Sequence, residues 1–90
     1  MTLQALRTEI DRIDDELCAL FERRMDVCRQ VAEFKKANNL TVLSTSREQD
    51  IVSRLTEGKS DKLAGYIKDL YGGIFGLSRS YQNDILAEKQ

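Results

Sequence analysis

The sequence predicts an all-α protein of three helices, long, short and long, and three observations carry that prediction. Apolar residues recur at alternating intervals of three and four from Leu3 to Phe34, which is the spacing of one face of an amphipathic helix. The 90 residues include no Pro, five Gly and 32% charged side chains, a composition that suits a helical protein. Helix-capping residues gather around positions 38–46 and 57–61, which divides the chain into three periodic stretches.

The first helix follows from the series Leu3, Leu6, Ile10, Ile13, Leu17, Leu20, Arg24, Val27, Val31, Phe34. Thr2 is its expected N-cap, and the consecutive Asn38 and Asn39 favour a C-cap and turn. A helix of about 37 residues is roughly 55 Å long, more than a small domain is wide. A single 90-residue chain is too short to cover both ends of such a rod, so the length points to oligomerisation. Arg24 interrupts the seam with a permanent cation, and a buried unpaired charge costs several kcal/mol. An anion is expected to meet it.

Residues 38–43 form a connection whose apolar pair, Val42 and Leu43, is expected to tuck under the core. The second helix starts within Ser44-Thr45-Ser46. Thr45 with Glu48, and Ser46 with Gln49, each match capping-box spacing. Ile51, Val52 and Leu55 give it an apolar face, and Gly58 is the expected residue just past its end. The third helix runs from Ser60 or Asp61 to about Ala87, with Leu63, Tyr66, Ile67, Leu70, Tyr71, Ile74, Phe75, Leu77, Tyr81, Ile85 and Leu86 as apolar positions. Gly72, Gly73 and Gly76 lie inside it, each costing about 1 kcal/mol relative to Ala. Close packing against a helix or ligand, or a locally loosened helix, would account for them. No repeat or domain boundary interrupts residues 1–90, which read as one domain.

Composition also excludes function classes. A net charge of −1 gives no basic footprint for nucleic acid and no polybasic membrane anchor. No transmembrane run or signal peptide is recognisable. Cys18 and Cys28 lie ten residues apart on one helix, about 15 Å, too far for a disulfide. They read as small core residues of a reduced, cytoplasmic protein. The chain has no His, no metal-ligand spacing and no phosphate-cradling or dinucleotide motif. Catalysis therefore has to proceed without nucleophile, metal or cofactor, by orientation and electrostatic stabilisation.

Polar residues on apolar faces mark the candidate site. Arg24, Cys28, Val31 and Lys35 form one narrow stripe on helix 1, with the two cations about 16 Å apart along the axis. Long side chains can converge across that gap on a small anionic ligand; alternatively, Arg24 sets helix register and Lys35 snorkels. Glu48 shares the inward stripe of helix 2 with Ile51, Val52 and Leu55, although a capping box alone would also explain it. Arg47 stands at the helix N-terminus, an unfavourable end for a cation. Ser78 and Gln82 are i, i+4 neighbours on the apolar stripe of helix 3. The Gln requires hydrogen-bond partners, whether a ligand or a backbone carbonyl.

Taken together, Leu6-Arg7-x-x-Ile10-x-x-Ile13-Asp14-x-x-Leu17, Leu20-x-x-Arg23-Arg24, Val31-x-x-x-Lys35, Arg47-Glu48 and Ser78-x-x-x-Gln82 resemble the all-helical AroQ class of chorismate mutases. The resemblance covers roughly residues 3–86. It implies an intertwined homodimer that rearranges chorismate to prephenate on the way to Phe and Tyr. Arg24, with Arg7 reaching in from the partner chain, would hold the substrate carboxylates. Lys35 and Gln82 would donate to the ether oxygen, and Glu48 would accept from the ring hydroxyl. Ser78 and Arg47 would line the carboxylate end, with Val31 and Phe75 as apolar walls. Geometry favours a cross-subunit Arg7, because it lies about 25 Å along the axis from Arg24 and some 100° around it. A second, antiparallel copy brings the two together. Ser44 stands where the family often has an acid, four residues before Glu48, so the hydroxyl end would be held more loosely. Two other readings are an isochorismate pyruvate lyase on the same scaffold and a non-catalytic helical dimerisation module.

Overall fold

The computed structural model describes residues 1–41 and 44–88, and the described residues are helical with short connections. In chain order the helices are α1 (Leu3–Ala37), α2 (Thr45–Thr56) and α3 (Asp61–Glu88). The predicted order of long, short and long holds, and the boundaries lie within about two residues of expectation.

The ends of α1 follow from local chemistry. Thr2 Oγ1 accepts the Ala5 amide at 3.0 Å, satisfying one of the unpaired amides of the first turn. At the other end Asn39 takes φ 57°. The amides of Leu40 and Asn39 return to Lys35 O and Lys36 O at 2.8 and 3.3 Å. This is a Schellman closure, with Asn in the left-handed position. Lys35 and Lys36 fall in the last turn, where cations complement the helix dipole.

The start of α2 differs from expectation. Ser44 is the N-cap, without a side-chain cap bond, and Thr45 is already helical. Neither anticipated capping box opens this helix, because Thr45 and Ser46 both lie inside it, and the Glu48 carboxylate is drawn across to α3. Gly58 ends the α2 connection at φ +75° as expected. Ser60 caps α3, with its hydroxyl accepting the Leu63 amide at 3.2 Å. The Val42-Leu43 pair lies outside the described residues.

Helix α3 is the hub: it packs against both α1 and α2, while the described parts of α1 and α2 make no close contact with each other. Among the described residues the buried apolar core is small, Ala32, Ile51, Phe75 and Ile85, and Ser78 and Gln82 are buried beside it. Polar bridges supplement it, among them Lys36 Nζ to Leu86 O at 3.4 Å. The protomer measures 55 × 26 × 14 Å, and its longest dimension is the expected rod. It exposes 7090 Å², whereas a compact monomer of this mass exposes about 5,400 Å².

Part of the excess is apolar surface on α1 and α3, where Leu63, Tyr66, Leu70 and Leu77 of α3 are 47 to 62% exposed. Leu3, Leu6, Ile10, Ile13, Leu17 and Leu20 are between 44 and 62% exposed. Cys18, read from the sequence as a core residue, is also exposed on this half, whereas Cys28 is partly covered; both thiols are free. The glycines of α3 leave the helix continuous. Nothing within the protomer lies within 4 Å of where a Cβ would stand at Gly72, Gly73 or Gly76, so packing inside one chain is not the reason for them.

Candidate active site

The C-terminal half of α1, the start of α2 and the last turns of α3 enclose a cavity of about 280 Å³. Its lining comprises Arg24, Val27, Cys28, Val31, Lys35, Ser44, Arg47, Glu48, Ile51, Phe75, Ser78, Arg79 and Gln82. Every residue anticipated for the site is here except Arg7. That residue is exposed, seventeen positions before Arg24 on the same helix, roughly 25 Å away along the axis.

Arg24 is held from several sides. Its Nη1 donates to Ser78 Oγ at 2.9 Å and contacts Cys28 Sγ at 3.7 Å. The guanidinium also lies 5.9 Å from the centre of the Tyr71 ring and 5.8 Å from that of Phe75. Those two rings pack edge to face at 5.7 Å. Aromatic faces attract a guanidinium through the ring quadrupole, so the cation is oriented without an anionic partner.

Gln82 Nε2 donates to the backbone carbonyl of Cys28 at 2.9 Å. The backbone partner left open by the sequence is thus real, and it ties α3 to α1. It does not exhaust the side chain. An amide nitrogen carries two hydrogens, so Gln82 can hold Cys28 and still donate once into the cavity. Lys35 is half-buried on the same stripe, one helical turn beyond Val31. Val31 is half-exposed on the cavity side, and Ile51 and Phe75 form its buried walls.

Arg79 was not anticipated. Its Nη1 pairs with Glu48 Oε2, joining α3 to α2. On helix 3 alone, Arg79 reads as a solvated cation next to the Ser78–Gln82 stripe. Its signal is visible only once the inward Glu48 of helix 2 is set opposite it. The lining holds four cations, Arg24, Lys35, Arg47 and Arg79, against one carboxylate, Glu48. The difference, 4 − 1, leaves three positive charges facing one small volume, which suits a compact polyanion.

A wider, open groove of about 870 Å³ runs between α2 and α3, past Val52, Ala64, Gly65, Gly72 and Phe75. It holds one cation, Lys68, against Glu48 and Asp61, so its charge does not suit an anionic ligand. Among the described residues, no cluster of His, Cys, Asp and Glu could hold a metal ion. No helix there is long and apolar enough to cross a membrane.

Comparison with known proteins gives a consistent family. The family model described as chorismate mutase type II matches residues 6–83. A bifunctional chorismate mutase/prephenate dehydratase of Aquifex aeolicus is 34% identical over 73 residues, covering 81% of this chain and 18% of that protein. The intracellular chorismate mutase of Mycobacterium tuberculosis is 38% identical over 55 residues, covering 61% of this chain and 52% of its own length. A T-protein of Haemophilus influenzae is 32% identical over 84 residues, 91% of this chain and 22% of that protein. The chain thus spans about half the length of one of these relatives and about a fifth of the other two. No solved structure matches it.

Proposed function

Because the chain belongs to the chorismate mutase type II family, we propose that it rearranges chorismate to prephenate within a homodimer. One observation carries this reading. Arg24, Lys35, Arg47, Glu48, Ser78 and Gln82, drawn from three helices, converge on one cation-rich cavity. The reaction is intramolecular. The ether C–O bond breaks as a C–C bond forms within the same molecule, and no proton, electron or second reactant is exchanged. The protein's task is to select the reactive conformer and stabilise charge that develops on the ether oxygen.

In this reading Arg24 and the partner's Arg7 hold the two carboxylates of the substrate. Ser78 and Arg47 line that end, and Ser78 also fixes Arg24 by accepting its hydrogen bond. Lys35 and the second amide hydrogen of Gln82 donate to the ether oxygen. Each is worth more in the transition state than in the ground state, because that oxygen gains charge only as the bond breaks. Glu48 accepts from the ring hydroxyl, with Ser44 nearby in place of a second acid. Val31 and Phe75 exclude water from the apolar ring face.

The dimer is supported by the surface excess of roughly 1,700 Å² per chain over a compact monomer. That lies in the range an obligate dimer buries on each side. It is supported too by the uncovered seam of α1, and the open groove between α2 and α3 offers a seat for the first turns of the partner's α1. The test is the loss of chorismate absorbance with purified protein, with the product identified. Prephenate supports the proposal. Release of pyruvate from isochorismate, without prephenate formation, would instead make the chain a lyase.

A further inference from the structure

We propose that Arg79 is a positioning residue for this rearrangement, holding one oxygen of Glu48 so that the other accepts the ring hydroxyl of the substrate. The inference rests on the mutase reading and adds a group that the sequence did not single out. Glu48 comes from the first turn of α2 and Arg79 from α3, 31 positions later, and both line the cavity. A lone carboxylate beside a substrate bearing two carboxylates faces repulsion, and it has rotational freedom that a useful acceptor has to lose. Arg79 offsets the first and removes the second. One Nη1 bond to Oε2 occupies one of the two carboxylate oxygens and leaves Oε1 with its lone pairs.

Stability is a poor explanation for the pair. Its side chains are 37 and 25% exposed, and partly solvated ion pairs contribute little to folding. The effect of Arg79 should therefore appear in turnover, and most strongly when the substrate carries the hydroxyl.

The experiment compares wild type, Arg79→Ala, Arg79→Lys, Glu48→Gln and the double variant Arg79→Ala/Glu48→Gln. The substrates are chorismate and a chorismate analogue lacking the ring hydroxyl. Arg79→Ala should lower kcat/KM for chorismate by roughly ten- to a hundredfold, the scale of a misplaced orienting group. On the analogue, which keeps both carboxylates, the loss should be about tenfold smaller, limited to the general loss of one cavity cation. Arg79→Lys should recover part of the loss, since an ammonium keeps the charge without the rigid fork of Arg. The double variant should be little worse than Glu48→Gln, because both act through one contact.

Equal losses on both substrates, or additive losses in the double variant, would overturn the inference. If Arg79→Ala does not fold, Arg79→Lys carries the same comparison, and equal losses on both substrates again refute it. A wild-type chain inert toward chorismate refutes the mutase reading as well. An active wild type with an unimpaired Arg79→Ala refutes this inference alone.

Discussion

The two halves of α1 carry the same apolar rhythm and meet different fates. From Leu3 to Leu20 the seam is uninterrupted by polar residues and lies open. From Arg24 to Lys35 the rhythm is broken by cations, and this half borders the cavity with Arg24, Cys28, Val31 and Lys35, although Val27 and Phe34 stay as open as the first half, at 55 and 63%. An apolar stripe alone therefore does not say what will cover it. The polar interruptions add to it: Arg24 and Lys35 stand where the helix borders the cavity, and the proposed dimer assigns the uninterrupted half to another helix.

The contrast breaks first if the pure half proves to be ordinary surface. Ile13→Asp, at a position 47% exposed in the protomer, should abolish the dimer, the fold and the activity together. A substitution on a true surface costs within about 0.5 kcal/mol. Sedimentation and circular dichroism decide it, and a folded active monomer would remove both the dimer and the role of Arg7.

The next largest effects separate charge from seam. Arg24→Ala and Arg7→Ala should each lower kcat/KM by roughly a hundredfold or more, the cost of losing a charge-stabilising donor. The dimer should persist, and Arg24→Ala could even strengthen it, because a cation held among other cations opposes assembly when no anion is bound. Refolding the two variants together should restore about a quarter of wild-type activity. Random pairing makes half the dimers mixed, and each mixed dimer regains one intact site of two. No recovery would mean that both arginines serve the same chain.

Gln82→Glu probes the interrupted half alone. At neutral pH the carboxylate should cost several hundredfold in rate. Lowering the pH from about 7 to about 5 should restore part of the rate as the carboxyl becomes a donor. A rate that is flat or falling over that range, in a folded protein, rules out Gln82 as the ether-oxygen donor. The smallest effect belongs to the other end of the helix. Thr2→Ala should cost about 1 kcal/mol of stability through the lost cap and leave kcat unchanged, measured by denaturant unfolding alongside the assay.

Much of this was legible in the sequence because helical periodicity and capping are local. The Thr2 cap, the Asn38-Asn39 closure, Gly58 and the shared stripe of Ser78 and Gln82 each follow from a few neighbouring residues. What the sequence did not show required two helices at once. Arg79 has meaning only opposite Glu48. Cys18 was misjudged because an apolar face was equated with a core, although the protomer leaves that face open. The contacts of Arg24 with Tyr71 and Phe75 were hidden for a similar reason, because linear spacing does not align those ring faces with it.

The polar bridges between helices have a further consequence. Arg24–Ser78, Gln82–Cys28, Lys36–Leu86 and Arg79–Glu48 each demand one axial alignment. A greasy interface tolerates a slide of one turn, about 5.4 Å, since one methyl group replaces another at little cost. These bridges do not, for such a slide would separate every donor from its acceptor. They act as the teeth of a gauge. The spacing of Arg24 and Lys35 is fixed within α1, but where Ser78 and Gln82 stand along that span is set by the same bonds that stop α3 from slipping, so the parts that keep the helices from drifting also fix the shape of the cavity.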